Sequence, residues 1–424
     1  MAETTVAGET AGGDRRNYAI VTGAYWTDTL VDGATRTLVL FYFDRLGYSP
    51  LQVASLFVLY EIAGVLTNLF GGWLAARRGL KVSLFLGLAV QVAALLMLGL
   101  APASLLVVPF VMASQALSGI AKDLTKMSSK SAVKLVAPEG DESALYRWVA
   151  ALTGSKNALK GIGFFLGGLL LSTVGFRAAT LLMAGLTLLA LIAAARLIHG
   201  HLGTPDRAAR FRQMFSSNRA VNVLAAARIF LFCSRDVWFV VGLPFFLYSE
   251  LGWTFWQAGT LLAVWVIGYG AVQAAAPRIL RGRVRGPGGE PGGATAVRLA
   301  LALAFCPAAI AIGLEAHLDE TLVIVLGLIP FGIAFAMNSA VHSYLILAYS
   351  DNDKVAMNVG FYYMANALGR LAGTVLSGAL YQWNGLTACL WASTACIVVA
   401  GAFSLLLPSG LSRHVPPRQA GQAA

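Results

Sequence analysis

Twelve ionisable side chains sit inside long apolar runs of this chain, where charge is expensive. Seven are cations, Arg36, Lys122, Lys156, Lys160, Arg228, Arg235 and Arg370, and five are acids, Asp28, Asp32, Glu61, Asp123 and Asp236. A central lysine or arginine in a lipid-embedded helix costs at least ~2.5–3.5 kcal/mol, so seven unpaired would cost on the order of 20 kcal/mol. That exceeds a typical net stability of ~5–15 kcal/mol. The groups must be paired, watered or both, which means that they line a cavity. Asp28, Asp32 and Arg36 repeat every fourth residue and so stack on one helix face; Lys156 and Lys160 do the same, with Asn157 alongside. Lys122, Lys126, Lys130 and Lys134 form a longer row at that spacing.

Arginine forks bind phosphate and carboxylate oxygens bidentately, and lysine serves as a point charge. Seven cations against five acids suits a small multivalent anion, whereas a cavity for cationic compounds needs the reverse balance. Arg36, Lys156, Lys160, Arg235, Arg370, Asn157 and Asn366 are the expected anion-binding residues. Asp28, Asp32, Glu61, Asp236 and His342 are candidates for proton coupling or charge balance, with Asp32 expected chiefly to orient Arg36 one turn away. Bland alternatives stand beside these readings. Lys122 and Arg228, near span ends, fit snorkelling as well as a cavity. Asp123 and Asp236 read as structural partners of nearby cations, His342 as a hydrogen-bonded interior histidine, and Tyr362, Tyr363 and Trp265 as packing.

The elements that position these groups follow from composition. The 424 residues are 58% hydrophobic and 12% charged, about half the charged fraction of a soluble domain. Apolar runs fall near 18–43, 51–74, 82–100, 105–125, 145–170 and 178–197, then near 220–248, 255–278, 299–315, 321–347, 355–380 and 386–407. In lipid each must be a helix. The expected fold is an all-α membrane protein of twelve transmembrane helices. Its parts are a polar tail (1–17), a six-helix bundle (18–197), a basic linker (198–219), a second bundle (220–407) and a tail (408–424). Placing the N-terminus inside puts 22 Lys and Arg in cytoplasmic segments against two outside, Arg45 and Arg177, so both termini are expected in the cytoplasm. The stretch 281–293 reads as a flexible loop.

Other classes drop out. The net charge of +11 lies between spans and does not indicate nucleic acid. No phosphate loop of the G-x-x-x-x-G-K-[ST] kind is present. Cys233, Cys306, Cys389 and Cys396 lie in apolar runs without a C-x-x-C pair, which disfavours disulfides and metal sites. No cofactor is expected. The first 17 residues lack the apolar core of a cleaved signal, so the first span is expected to remain as an anchor.

Internal echoes mark a duplication. Leu46-Gly47-Tyr48 with Gln52 echoes Leu251-Gly252-Trp253 with Gln257, and Asn157-Ala158-Leu159-Lys160 echoes Asn366-Ala367-Leu368 with Arg370 beyond. Parallel six-span repeats are the plan of major facilitator transporters. Gly72-Trp73-Leu74-Ala75-Ala76-Arg77-Arg78-Gly79-Leu80-Lys81 resembles that family's gate signature, with Ala76 where the signature has aspartate. The gate residues so implied are Gly72, Leu74, Arg77, Gly79 and Lys81. Gly163-Phe164-Phe165-Leu166-Gly167-Gly168 is similar to the end of the exporter signature, with Phe164 for its proline and Leu159 for its first glycine. The resemblance also implies that spans 3, 6, 9 and 12, which lack charges, are peripheral.

Longer runs carry a closer resemblance. VTGAYWTDTLVDGATR (21–36), QALSGIAKDLTKMSSKSAVKL (115–135), LYRWVAALTGSKNALKGIGFFLGG (145–168) and GFYYMANALGRLAGTVLSGALYQ (360–382) resemble the ArsJ-type organoarsenical efflux permeases. So do LGYSPLQVASLF (46–57), RDVWFVV (235–241), WVIGYGAVQ (265–273) and HSYLI (342–346). The resemblance implies a bacterial inner-membrane exporter of 1-arseno-3-phosphoglycerate. A glyceraldehyde-3-phosphate dehydrogenase makes that ester when arsenate replaces phosphate, so the two proteins would be linked in function. Pentavalent, oxygen-bonded arsenic fits a lysine and arginine cavity and needs no clustered cysteines. The alternatives are a permease for another organic phosphate or carboxylate, and a non-transporting sensor on the same fold, which would call for an output domain.

Overall fold

The computed structural model describes residues 2–47, 56–137, 141–200, 202, 216–253, 255–280, 291–350 and 354–408. Backbone groups in lipid must be satisfied within their own segment, and the described residues form helices with no strand. The first bundle contains α1 (Ala2–Arg45), α2 (Val58–Arg78), α3 (Leu80–Leu100), α4 (Val108–Val136), α5 (Glu142–Thr173) and α6 (Gly175–Leu197). The second begins with α7 (Arg219–Phe239), which continues through a short helix at Gly242–Phe245 and a π-helical turn at Phe246–Glu250. It proceeds with α8 (Phe255–Leu280), α9 (Gly293–Glu315) and α10 (Glu320–Ala348). The final helical run, Val355–Leu405, is broken by non-helical backbone at Asn384 and by Gly385 with φ +64°. It therefore makes two spans, α11 (355–383) and α12 (386–405), which brings the long helices among the described residues to twelve. Gln52, most of the linker, the loop at 281–290 and the tail beyond Pro408 lie outside the described residues.

Local chemistry sets the boundaries. Asp141, Asn218 and Asp319 cap α5, α7 and α10 by accepting from Ala144 N at 2.8 Å, Ala220 N at 2.9 Å and Leu322 N at 2.8 Å. Gly79, at φ +90°, separates α2 from α3 and takes a conformation that side chains resist. The helices α2, α3, α6, α8, α9, α10 and the last run are apolar and long enough to cross a membrane. The others, α1, α4, α5 and α7, carry most of the intramembrane charge.

One close crossing stands out in each half. In the first, α1 meets α5 so closely that a Cβ on Gly163 would stand 2.5 Å from Leu30 O, and one on Gly33 2.7 Å from Lys160 O. In the second, α7 meets α11, where a Cβ on Gly373 would stand 2.8 Å from Cys233 O. The halves join through Gly72 against Gly360 (α2 on α11) and Gly154 against Gly270 (α5 on α8), where a Cβ would come within 2.5–2.8 Å of the facing backbone. Small residues that let backbones approach are the usual device for helix packing in lipid.

The apolar cores reveal the conformation. One cluster draws on both halves at the end that carries the termini, with Tyr18, Leu84, Met127, Tyr146, Leu224, Leu280, Tyr344, Tyr362 and Leu407 among its members. At the opposite end the core divides into one cluster from the first half alone, such as Val31, Phe43 and Phe176, and one from the second, such as Trp238, Phe331 and Leu390. Apolar packing thus closes the bundle across the halves at the terminal end and stays within each half at the other. Leu189 of α6, Phe305 of α9 and Val398 of α12 are exposed, which places apolar side chains where lipid would lie.

Candidate functional site

The close helix crossings bring the intramembrane charges together between the halves. On α1 and α5, Lys160 Nζ bonds Asp32 Oδ2 at 2.9 Å, while Tyr60 donates to Asp32 Oδ1 at 2.5 Å. Arg36 turns instead to Glu61 of α2, whose Oε1 accepts from Arg36 Nη2 at 3.2 Å and from Arg370 Nη2 of α11 at 3.0 Å. Asp32 thus takes Lys160 as its bonded partner rather than the expected Arg36, because the α1–α5 crossing places Lys160 closer. Arg370 Nε reaches Asp236 Oδ2 at 3.3 Å, and Arg235 holds Asp236 Oδ1 at 2.6 Å. The chain Arg36–Glu61–Arg370–Asp236–Arg235 crosses from one half to the other with three cations on two acids. Aromatic faces add support: Tyr60 and Phe57 lie 4.7 and 5.1 Å from the Arg36 guanidinium, and Phe232 and Phe335 lie 5.0 and 5.5 Å from that of Arg235.

A second level lies toward the closed end. Arg228 is buried between the rings of Phe232 and Tyr362, 4.0 and 5.1 Å away. Its Nε donates to Asn366 Oδ1 at 2.9 Å and its Nη1 to Ser339 Oγ at 3.2 Å. Gln273 donates to the same Ser339 oxygen at 3.2 Å and accepts from Asn157 Nδ2 at 2.6 Å. This neutral relay ties Asn157 of the first half to Arg228 and Asn366 of the second. Lys156 has no hydrogen bond or ion pair among the described residues, and it is half-buried. On α4, Lys126 bonds Asp123 at 2.5 Å, Lys122 lies 3.8 Å from that acid and 3.9 Å over Tyr60, and Lys130 bonds Thr153. Asp28 is buried against Thr125 Oγ1 at 2.6 Å, and none of the ion pairs among the described residues includes it.

Of the expected residues, Arg36, Lys160, Arg235, Arg370, Asp32, Glu61 and Asp236 belong to the central network or its flank. Asn157 and Asn366 join the second level. Asp123 and Asp236 serve as partners of nearby cations. His342 is buried in α10, and its Nδ1 finds no hydrogen-bond partner among the described residues, unlike the hydrogen-bonded interior histidine expected. The gate residues lie at the terminal end: Gly72 at the contact with α11, Lys81 donating to Ile198 O at 2.9 Å, Arg77 over the Trp73 ring at 5.4 Å and Leu74 half-buried. Sequence reasoning left Arg228, Lys126 and Lys130 out of the expected anion-binding set and passed over Gln273 and Ser339. It had placed Lys126 and Lys130 beyond the end of their span, but α4 runs to Val136 and Lys130 is buried. The four-residue spacing from Lys122 was the available signal. Arg228, read as equally open to snorkelling, is fully enclosed.

Comparison with known proteins gives a consistent outcome. The profile of the Major Facilitator Superfamily matches residues 21–341. No curated protein is detectably similar in sequence. Among solved structures, a bacterial homologue of the iron transporter ferroportin in an outward-facing state superposes with TM-score 0.72 at 13% identity, covering 92% of this chain and 99% of that one. The human organic anion transporter MFSD10 (TETRAN) gives 0.73 at 18% identity, with coverage of 92% and 99%. The transporter FucP in the outward conformation gives 0.71 at 10% identity, with coverage of 93% and 99%. These likenesses are of fold.

Proposed function

The chain belongs to the Major Facilitator Superfamily and is a secondary transporter, not an enzyme; we propose that it exports a small multivalent organic oxyanion, 1-arseno-3-phosphoglycerate. One observation carries this reading: cations outnumber acids in the network between the halves, and among the described residues neither Lys156 nor Arg228 has a carboxylate partner. An anion supplies the missing charge. Arg36 and Arg370 share one carboxylate oxygen, so a substrate oxyanion entering between them replaces Glu61 without rebuilding the site. The choice of arsenic over other anions rests on the sequence resemblance to the ArsJ-type permeases and on the fit between oxygen-bonded arsenic and guanidinium forks.

The lysine and arginine asymmetry supports cytoplasmic termini, and the resemblance to the ArsJ-type permeases supports a bacterial inner membrane. On that orientation the closed end faces the cytoplasm, and the molecule is an exporter caught open to the outside. The test is arsenate accumulation in whole cells, with and without a co-expressed glyceraldehyde-3-phosphate dehydrogenase. Lower cell arsenic and better growth are expected only when both proteins are present. Resistance that ignores the dehydrogenase would overturn the ester as cargo. Absence of any arsenate phenotype would leave the permease for another organic phosphate or carboxylate, which the same cation excess accommodates.

A further inference from the structure

Beyond the Glu61 network, toward the closed end, lies a second group of cations that the network does not employ. Lys156 precedes Lys160 by one turn and Arg228 precedes Arg235 by two, so at 1.5 Å per residue the two levels are about 6–10 Å apart. Lys130 and Arg228 are each 3% exposed. Their partners among the described residues are neutral: Thr153 for Lys130, Asn366 and Ser339 for Arg228. Lys130 feels the charges of Arg228 and Lys126, and Lys156 those of Lys160, Lys126, Lys130 and Arg370. Asp123, two turns before Lys130 on α4, is already engaged by Lys126 at 2.5 Å and approached by Lys122 at 3.8 Å. Like charges gathered away from water without a carboxylate are costly, and an anion relieves that cost.

We propose that Lys130, Lys156 and Arg228 form a second oxyanion subsite, which takes one phosphate-like end of a substrate whose other end sits on Arg36 and Arg370. This inference rests on reading the cavity as an organic-anion site. A short carbon chain bearing charge at both ends spans the two levels, whereas a single inorganic oxyanion fills one at a time. Lys130 and Lys156 come from the first half and Arg228 from the second. An anion among them therefore bridges the halves at the closed end and links full occupancy to closure.

The test uses the full chain in lipid nanodiscs with two probes, 3-phosphoglycerate and inorganic phosphate, measured by equilibrium binding. The wild type should prefer 3-phosphoglycerate by about tenfold or more, the value of one additional charge-assisted contact. Lys156→Gln and Arg228→Gln should bring the two probes close to parity with little change for phosphate, and Arg228→Lys should restore part of the preference. Should Arg228→Gln fail to purify as a monodisperse protein, Lys156→Gln decides, because that side chain is half-exposed and unbonded. Unchanged preference in both Gln variants, or no preference in the wild type, overturns the subsite. Equal loss of both probes in a folded variant also overturns it, since the level would then not be separate. Arsenate resistance measured alongside separates the failures. Resistance with no probe preference removes the subsite and leaves the exporter, while no resistance and no binding removes both.

Discussion

Replacing Glu61 by Gln should convert a self-neutralised site into an open anion site. Glu61 Oε1 is shared by Arg36 at 3.2 Å and Arg370 at 3.0 Å. At an effective dielectric of about 20 and charge centres about 4 Å apart, each pair is worth ~4 kcal/mol. The groups are 22–27% exposed, so solvent screening cuts this to ~1–2 kcal/mol per pair. Arg370 keeps its ion pair with Asp236, whereas Arg36 keeps the Tyr60 and Phe57 rings and the more distant charge of Asp32. The variant should lose ~2–4 kcal/mol of stability without ligand, by the same screened estimate. An incoming oxyanion no longer competes with a resident carboxylate, so phosphate affinity should rise about 10–100-fold. The assay is thermal unfolding of purified wild type and Glu61→Gln across a phosphate series, where stabilisation follows RT ln(1 + [L]/Kd). The variant should begin lower and climb at lower phosphate. An identical phosphate dependence in the two proteins would refute the idea that Glu61 stands in for substrate.

Lys156→Gln, Lys160→Gln and Arg370→Gln should each abolish arsenate resistance while the protein remains in the membrane; wild-type growth in all three would remove these residues from the site. Gly72→Val sets a Cβ about where a built one meets Ala356 O at 2.7 Å and Gly360 Cα at 2.8 Å, so the terminal end cannot close. A cysteine placed at Tyr344, buried in the closed form, should then react faster with an impermeant maleimide from the cytoplasmic face, and unchanged labelling would count against that crossing as the gate. A variant lacking Cys233, Cys306, Cys389 and Cys396 should keep resistance, although Cys233 and Cys396 lie 3.8 Å apart; loss in a well-expressed protein would give the thiols a role. Vesicles loaded with the arsenylated ester should release it in response to an inside-negative potential, and efflux that follows only an inward proton gradient would contradict electrogenic export.

The twelve spans were legible because lipid leaves helix as the single solution and apolar length counts the crossings. The α11–α12 break was legible too, since Asn384-Gly385 interrupts an apolar stretch. The central arginines were visible because charge in such runs demands a cavity. Which acid meets which cation was not visible. Helical periodicity pairs Asp32 with Arg36, but the glycine crossing of α1 on α5 decides for Lys160, and that contact lies 128 residues away in sequence. Lys126 and Lys130 were misplaced because a lysine reads as the end of a hydropathy run, whereas α4 continues inside the bundle. Gln273 and Ser339 carry no charge signal, so their part in holding Arg228 emerges only from the packing of α8 and α10.

The arrangement of acids bears on what drives transport. Asp32, Glu61, Asp123 and Asp236 are each bonded to at least one cation. A proton taken up by any of them releases a cation and strengthens anion binding. Asp28, with Thr125 as its partner, obeys the same sign, because a proton there also makes the cavity more positive. Linkage is reciprocal, so proton and anion favour each other at this site and would travel together. Antiport requires the opposite, a proton that excludes the substrate. For an exporter working against an inward proton gradient, co-movement would be a burden, and the carboxylates are better understood as counterions that cargo displaces. The membrane potential suffices without them. Moving a unit charge is worth ~2.3 kcal/mol per 100 mV, so an anion of about three charges leaving a negative interior gains roughly 7 kcal/mol, a gradient of about 10⁵-fold. On the proposed reading, the negative charge of the cargo that a cation-rich cavity would recognise also makes potential-driven release the natural direction of flow.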